Sequence, residues 1–288
     1  MNSLCIDIGG TKTAVALYDG SGAELCYRQF PTAPAEGSRA LAERVYESVR
    51  GALAEHPAAC GVIASPGPLD SARGVLLSPV MLGWKNEPVV KIFEEKFGIP
   101  FSLLNDCDAA ALGVAEEFGF SEKGTLCYIT ISTGVGGGTL VDGKLLQGAG
   151  NASEFGHIPV AGQGLRCGCG KTDCLELYAS GTGIENRYKA VRGESLPCAQ
   201  IAARAREGEQ AAVQVFAEAA KYLADGVRTI KAVLDPDIIV FGGGVVKDGD
   251  LLLPGLRGCG VRTECTAQGG KQVLHGALLR ALQMNGNV

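Results

Sequence analysis

The sequence predicts an α/β protein built from two copies of one unit, and three observations carry that prediction. Short apolar runs alternate with segments whose apolar residues recur at helical spacing. A glycine-rich hairpin in residues 4–20 is followed by a similar one, and sliding the chain by 123 residues puts Asp142-Gly143 on Asp19-Gly20 and Thr133-Gly134 on Gly10-Thr11. The length, 288 residues, suffices for two cores at about 150 residues per domain. An offset so long is not a solenoid period, so the reading is a duplicated unit. Chance likeness between two glycine-rich hairpins is the plainer alternative.

Residues 4–18 read as strand, tight loop and strand, ending at Asp19-Gly20, where a hairpin turn is expected. A third strand spans 24–30. Helical spacing of Leu41, Val45, Val49 and Leu53 predicts a helix over 39–56, and 60–64 is a short buried strand. Pro66 and Pro68 interrupt the chain before a helix at 91–97 and a strand at 101–104. An Ala-rich helix over 109–118 is the expected crossing between domains. The second copy opens at Thr125. Helices are predicted over 183–191, 198–207 and 209–234, the last with Val213, Phe216, Ala220, Leu223 and Val227 on one face. A strand at 238–241, a turn at Gly242, Gly243 and Gly244, and a helix over 276–284 complete the chain. The predicted domains are residues 1–111 with 275–288, and residues 112–274.

Composition excludes several functions. Apolar residues at 46% and charged residues at 20% place the chain outside the disordered range. A formal charge of −5 without a basic stripe argues against a nucleic-acid partner. No apolar run reaches about 18 residues, and Met1 leads directly into a strand carrying Asp7, so neither a membrane span nor a cleavable signal is expected. The expected location is cytoplasmic, where most of the 11 cysteines behave as small reduced core residues.

Three motifs carry chemistry. In Asp7-Ile8-Gly9-Gly10-Thr11-Lys12, glycines let backbone N–H groups approach phosphate oxygens, Thr11 and Lys12 add donors, and a strand-end carboxylate can hold Mg²⁺ through water. It lacks the spacing of Walker A and of dinucleotide loops, and alone it could be an ordinary hairpin. The second copy, Ser132-Thr133-Gly134-Val135-Gly136-Gly137-Gly138, would clamp a polyphosphate from the other side. Two such hairpins resemble the actin, Hsp70 and hexokinase superfamily. In Asn105-Asp106, a carboxylate at a strand end could take the proton of an attacking hydroxyl, although Asp106 capping the next helix is the simpler reading. Most specific is His157 followed by Cys167, Cys169 and Cys174, one imidazole and three thiolates in the pattern of a closed structural zinc site, with Gly168 and Gly170 allowing sharp turns. A disulfide is the weaker alternative in a reducing compartment. His56 and His275 have no such neighbourhood.

With Ala109-Ala110-Ala111-Leu112-Gly113, Glu154-x-x-His157, the cysteine run ending in Leu175-Glu176, and Phe241-Gly242-Gly243-Gly244-Val245, these motifs run in order over almost the whole chain. The sequence is similar to the ROK family of repressors and sugar kinases. That resemblance implies two actin-like (RNase H-like) ATPase domains and phosphorylation of a hexose or N-acetylhexosamine by ATP. It implies Asp106 as general base, and Ser65, Gly67, Asn105, Asp106, Glu154, His157 and Glu176 as sugar contacts. Asp7, Gly9, Gly10, Thr11, Lys12, Thr133, Gly134, Gly136, Gly137, Gly242, Gly243 and Gly244 would surround ATP and Mg²⁺. His157 would serve zinc with one ring nitrogen and the sugar with the other.

Some positions depart from the family pattern. Ser78-Pro79-Val80-Met81 stands where many relatives carry Ser-Pro-Asn-Leu, and Asp108 where glucokinase-like members often carry Asn. Asp173 replaces a usual Gly before the last cysteine. With six residues before Asp7, the DNA-binding segment of the repressor branch is not expected here. The expected reaction is glucose to glucose 6-phosphate, with N-acetylmannosamine, fructose or allose as rival acceptors and a homodimer implied by the resemblance. A sugar-sensing regulator without kinase activity is the binding-class alternative, and a nucleotide-driven clamp the third.

Overall fold

The computed structural model describes residues 1–247, 249–267 and 271–286, and among these residues twelve strands alternate with eight α-helices. In order they are β1 (Asn2–Ile8), β2 (Lys12–Tyr18), β3 (Glu24–Pro31), α1 (Ser38–Glu55), β4 (Ala58–Ser65), β5 (Leu69–Asp70), β6 (Val75–Leu76), α2 (Val89–Phe97), β7 (Phe101–Asn105) and α3 (Asp106–Phe118). Then come β8 (Thr125–Ile131), β9 (Val135–Val141), β10 (Lys144–Leu145), α4 (Glu176–Ala179), α5 (Gly181–Arg192), α6 (Cys198–Arg206), α7 (Gln210–Leu234), β11 (Ile238–Gly242), β12 (Arg262–Cys265) and α8 (Gln272–Met284).

The duplication is visible in the strand order. One five-stranded sheet runs β3-β2-β1-β4-β7 and the other β10-β9-β8-β11-β12. In each, the first three strands form an antiparallel meander and the last two run parallel to the strand that opens the copy. The hairpins differ by one residue: Ile8 pairs Thr13 around residues 9–12, whereas Ile131 pairs Val135 around residues 132–134. Both Asp-Gly pairs turn where predicted. Asp142 and Gly143 have φ of 48° and 72°, as a type I′ turn requires, while Asp19 instead accepts from Ser21 N and Ala23 N in a longer loop.

By internal packing the chain divides into one unit of Met1–Glu116, Gln147–Asn151 and Lys271–Val288, and a second of Glu117–Leu146 and Ala152–Gly270. The first division thus falls at Glu116, later than the 111 read from sequence, and within that unit α3 and α8 meet at two glycines. A Cβ on Gly276 would lie 1.6 Å from Ala109 O and one on Gly113 2.5 Å from Gln272 O, so only glycine lets these helices approach so closely. In the first unit Leu4, Ile6, Val15, Leu41, Val45, Ile63, Phe93 and Leu103 form the core. In the second, Ile129, Leu175, Phe216, Leu223, Val227 and Phe241 do so. One predicted core position is wrong: Val213 is 45% exposed, because the buried stripe of α7 runs through Ala212, Val215, Phe216 and Ala219. Among the described residues, no helix is long and apolar enough to cross a membrane.

Candidate active site

In the first unit the predicted residues gather at the carboxyl ends of three parallel strands, β1, β4 and β7, where a sheet leaves a crevice for ligands. Register places Asp7 beside Ala64, and Ser65 beside Asn105. A Cβ on Gly67 would lie 3.3 Å from Asn105 Nδ2, so the Ser65-Pro66-Gly67 loop passes directly over that amide.

The helix cap is Asn105, not Asp106. Asn105 Oδ1 accepts from Cys107 N at 2.8 Å, satisfying an orphan donor of α3. Asp106 is the first helical residue and its Oδ1 also accepts from Cys107 N at 2.8 Å. Burial raises the Asp106 carboxyl above the ordinary carboxylate range, against the lowering effect of that hydrogen bond. Asp7 is pushed up to about 7, first by burial and then by the charge of Asp106. The charge of Asp106 therefore reaches Asp7, although 98 residues lie between them in sequence.

The loop over residues 9–12 is held by its own hydrogen bonds. Gly9 N donates to Lys12 O at 2.9 Å, Thr32 N to Thr11 O at 2.9 Å, and Thr32 Oγ1 to Gly9 O at 2.6 Å. Thr11 and Lys12 are exposed. Thr32 has no signature in the sequence, since its place comes from pairing of β3 with β2.

The second unit holds the other predicted group. Its loop is shorter than the Ser132 to Gly138 run suggested: Gly136 and Gly137 lie inside β9, paired with Thr130 and Ile129. A Cβ on Gly137 would lie 2.3 Å from Phe155 Cδ2, so this glycine admits the Phe155 ring. Thr133 and Gly134 remain in the turn, where Ser132 N donates to Gly134 O at 2.9 Å. A Cβ on Gly134 would lie 2.5 Å from Glu176 Oε2, which accepts from Val135 N at 3.1 Å. Gly242 ends β11 against Tyr128, Gly243 turns with φ 93°, and Gly244 has no heavy atom near its missing Cβ. Glu154 is exposed, beside His157 in a short 3-10 turn over Phe155–His157.

His157, Cys167, Cys169 and Cys174 converge, each offering an atom within 4.8 Å of the others. Cys167 Sγ lies 3.7 Å from His157 Nδ1, and Cys169 Sγ 3.6 Å from Cys174 Sγ. Zinc at about 2.3 Å from each sulfur implies tetrahedral edges of about 3.8 Å, close to these two separations, so the group can hold zinc. The sulfurs are too far apart for the alternative, a disulfide of about 2.05 Å. Of the two glycines in this run only Gly170 turns with positive φ, 90°, its N–H closing on Cys167 O at 3.0 Å. Asp173 also has positive φ, 56°, which accounts for a glycine at that place elsewhere. Here the aspartate is used: it accepts from Gly164 N at 3.1 Å, Leu165 N at 2.9 Å and Tyr178 Oη at 2.7 Å, and these donors hold its carboxyl below the usual range.

The profile of the ROK family matches residues 3–272. The chain belongs to the ROK family. A glucokinase of Streptomyces coelicolor is 31% identical to this ROK protein over 271 residues, 88% of this chain and 84% of the relative. An N-acetylmannosamine kinase of Escherichia fergusonii is 38% identical over 250 residues, 85% of this chain and 84% of the relative. Among solved structures, a ROK hexokinase from Thermus thermophilus superposes with a TM-score of 0.86 at 30% identity over all of both chains. A ROK glucokinase from Streptomyces griseus, solved with glucose and AMPPNP, gives 0.82 at 31% identity, covering 98% of this chain and all of that one. The ROK fold places this protein in the hexokinase, actin and Hsp70 ATPase superfamily.

Proposed function

We infer that this ROK protein, a sugar kinase, transfers the γ-phosphoryl group of ATP to a hexose hydroxyl, with glucose giving glucose 6-phosphate as the leading reaction. The observation that carries this reading is geometric: Asp106 directly follows the carboxyl end of β7, and Asp7 lies at the carboxyl end of β1 next to the 9–12 hairpin, with only β4 between those strands. The new bond joins the sugar oxygen to phosphorus, the bond to ADP breaks, and Asp106 takes the hydroxyl proton. Asn105, with Ser65 and Gly67 close by, orients neighbouring hydroxyls. Backbone N–H groups of Gly9, Gly10 and Thr11, the Lys12 ammonium, and the Thr133-Gly134 turn bind phosphate oxygens. Gly243 and Gly244 border the nucleoside.

Asp7 would hold Mg²⁺, which neutralises phosphate charge when bound. His157, Cys167, Cys169 and Cys174 would hold zinc, which fixes one imidazole tautomer when bound. His157 Nδ1 lies on the cysteine side, leaving Nε2 to bind a sugar hydroxyl with Glu154. Glu176 contributes through the loop it ties. The chain functions in the cytoplasm as a homodimer.

The 38% identity to an N-acetylmannosamine kinase favours that sugar as the second reading. A coupled assay for ADP across glucose, mannose, fructose, allose, N-acetylglucosamine and N-acetylmannosamine tests both. Phosphorylation of glucose with the highest kcat/KM supports the first reading, and preference for N-acetylmannosamine the second. No sugar-dependent ADP with any acceptor would leave only a sugar-sensing role.

A further inference from the structure

Residues 77–86 form a loop of the first unit whose base is tied by backbone hydrogen bonds. Leu77 N donates to Pro68 O at 3.0 Å and Asn86 N to Leu77 O at 2.8 Å. Leu82 N and Gly83 N both reach Pro79 O at 3.0 Å, Leu82 is buried, and Trp84 Nε1 donates to Pro34 O at 2.9 Å. This base presents two apolar residues at the tip, Val80 and Met81, 91% and 54% exposed.

Met81 has a defined place. A Cβ built on Gly10 would lie 2.8 Å from Met81 Cβ and 2.9 Å from its terminal methyl, Cε, so the side chain curls over Gly10 in the 9–12 hairpin. Gly10 is not in the positive-φ region, so here the close approach of Met81, and not backbone twist, requires a missing side chain. The hairpin does not need Met81 for its shape, because Gly9, Thr11, Lys12 and Thr32 close it among themselves. Methionine is unbranched and turns about three bonds, so its thioether and terminal methyl can swing off Gly10 at small cost while Cβ stays. A side chain that covers a loop without bracing it, and that is half exposed, has the properties of a displaceable cover.

We propose that Met81 gates the phosphate hairpin: the end of its side chain covers Gly10, and a nucleoside triphosphate binds there by displacing it. This rests on the reading that the hairpin receives phosphates. The test uses the three methionines, Met1, Met81 and Met284. The full chain carrying carbon-13 at its methionine methyls is titrated with the magnesium complex of a non-hydrolysable β,γ-imido ATP analogue. The Met81 signal, assigned by its loss in Met81→Leu, is expected to move while that of Met284 stays. In calorimetry Met81→Ala is expected to bind the analogue about fourfold more tightly, the change that one methylene of lost contact corresponds to. An analogue that binds with the Met81 methyl unmoved, or no more tightly to Met81→Ala, overturns the gate. A Lys12→Ala chain that binds the analogue as well as the native one overturns the hairpin reading, and the gate with it.

Discussion

Glu176 Oε2 accepts a hydrogen bond from Val135 N at 3.1 Å and fills the space beside Gly134 where any other residue would carry a Cβ. The carboxylate thus ties the second glycine hairpin to the helix that follows the cysteine run. Glu176→Gln keeps an acceptor at this place and is expected to hold KM for ATP within about twofold. Glu176→Ala leaves Val135 N unpaired, costing about 1–3 kcal/mol in thermal denaturation, and raises KM for ATP. Equal behaviour of the two variants would remove the tie.

Asp106→Asn is expected to lower kcat by a factor on the order of 10² or more while sugar binding measured by calorimetry persists, because the amide keeps the shape but cannot take a proton. Near-native turnover would show that the base lies elsewhere.

The raised carboxyls make activity and stability depend on pH in opposite directions. A base must be ionised, so kcat/KM should fall as pH drops through the raised range of Asp106, above the ordinary value of about 3.9 for aspartate. For Asp7 the folded value of about 7 also lies above the ordinary one, so the native state binds more protons between them. Its contribution to stability is full below about pH 4 and is lost as pH rises through 7. Tm of the ligand-free protein should therefore decline from pH 5 to 8, and Asp7→Asn should flatten that slope. An unchanged slope would show that Asp7 titrates normally.

On the reading that His157, Cys167, Cys169 and Cys174 hold zinc, its removal should release His157 as well as loosen the loop. Chelation, or Cys169→Ser, is expected to lower Tm and raise KM for the sugar together. A zinc-free protein with native sugar KM would confine His157 to a structural role.

Asp173 separates two contributions to that loop. Asp173→Gly relieves the positive φ but loses three hydrogen bonds, whereas Asp173→Ala loses the bonds and keeps the strain. Both should destabilise, Ala more than Gly by about 1 kcal/mol in chemical denaturation. A glycine variant less stable than the alanine one would contradict this account.

The sequence by itself determined what depends on near neighbours. The His157 and cysteine spacing specified a four-ligand cluster, since a short loop turned at Gly164, Gly170 and Asp173 brings such residues together wherever it sits. The two Asp-Gly turns and the duplicated order of strands were legible for the same reason, because turn chemistry and alternation act over a few residues. The shortening of the second loop was not, because it follows from Gly136 and Gly137 pairing with β8 and from the Phe155 ring packed on Gly137, and that ring comes from elsewhere in the chain. Tertiary structure alone decided that Asp7 and Asp106 come to strand ends with only β4 between them, that Asn105 and not Asp106 caps α3, and that Met81 lies on Gly10. Each of these follows from sheet order, from register or from the path of a tied loop. Those are settled by how whole faces pack, which spacing between neighbours does not encode.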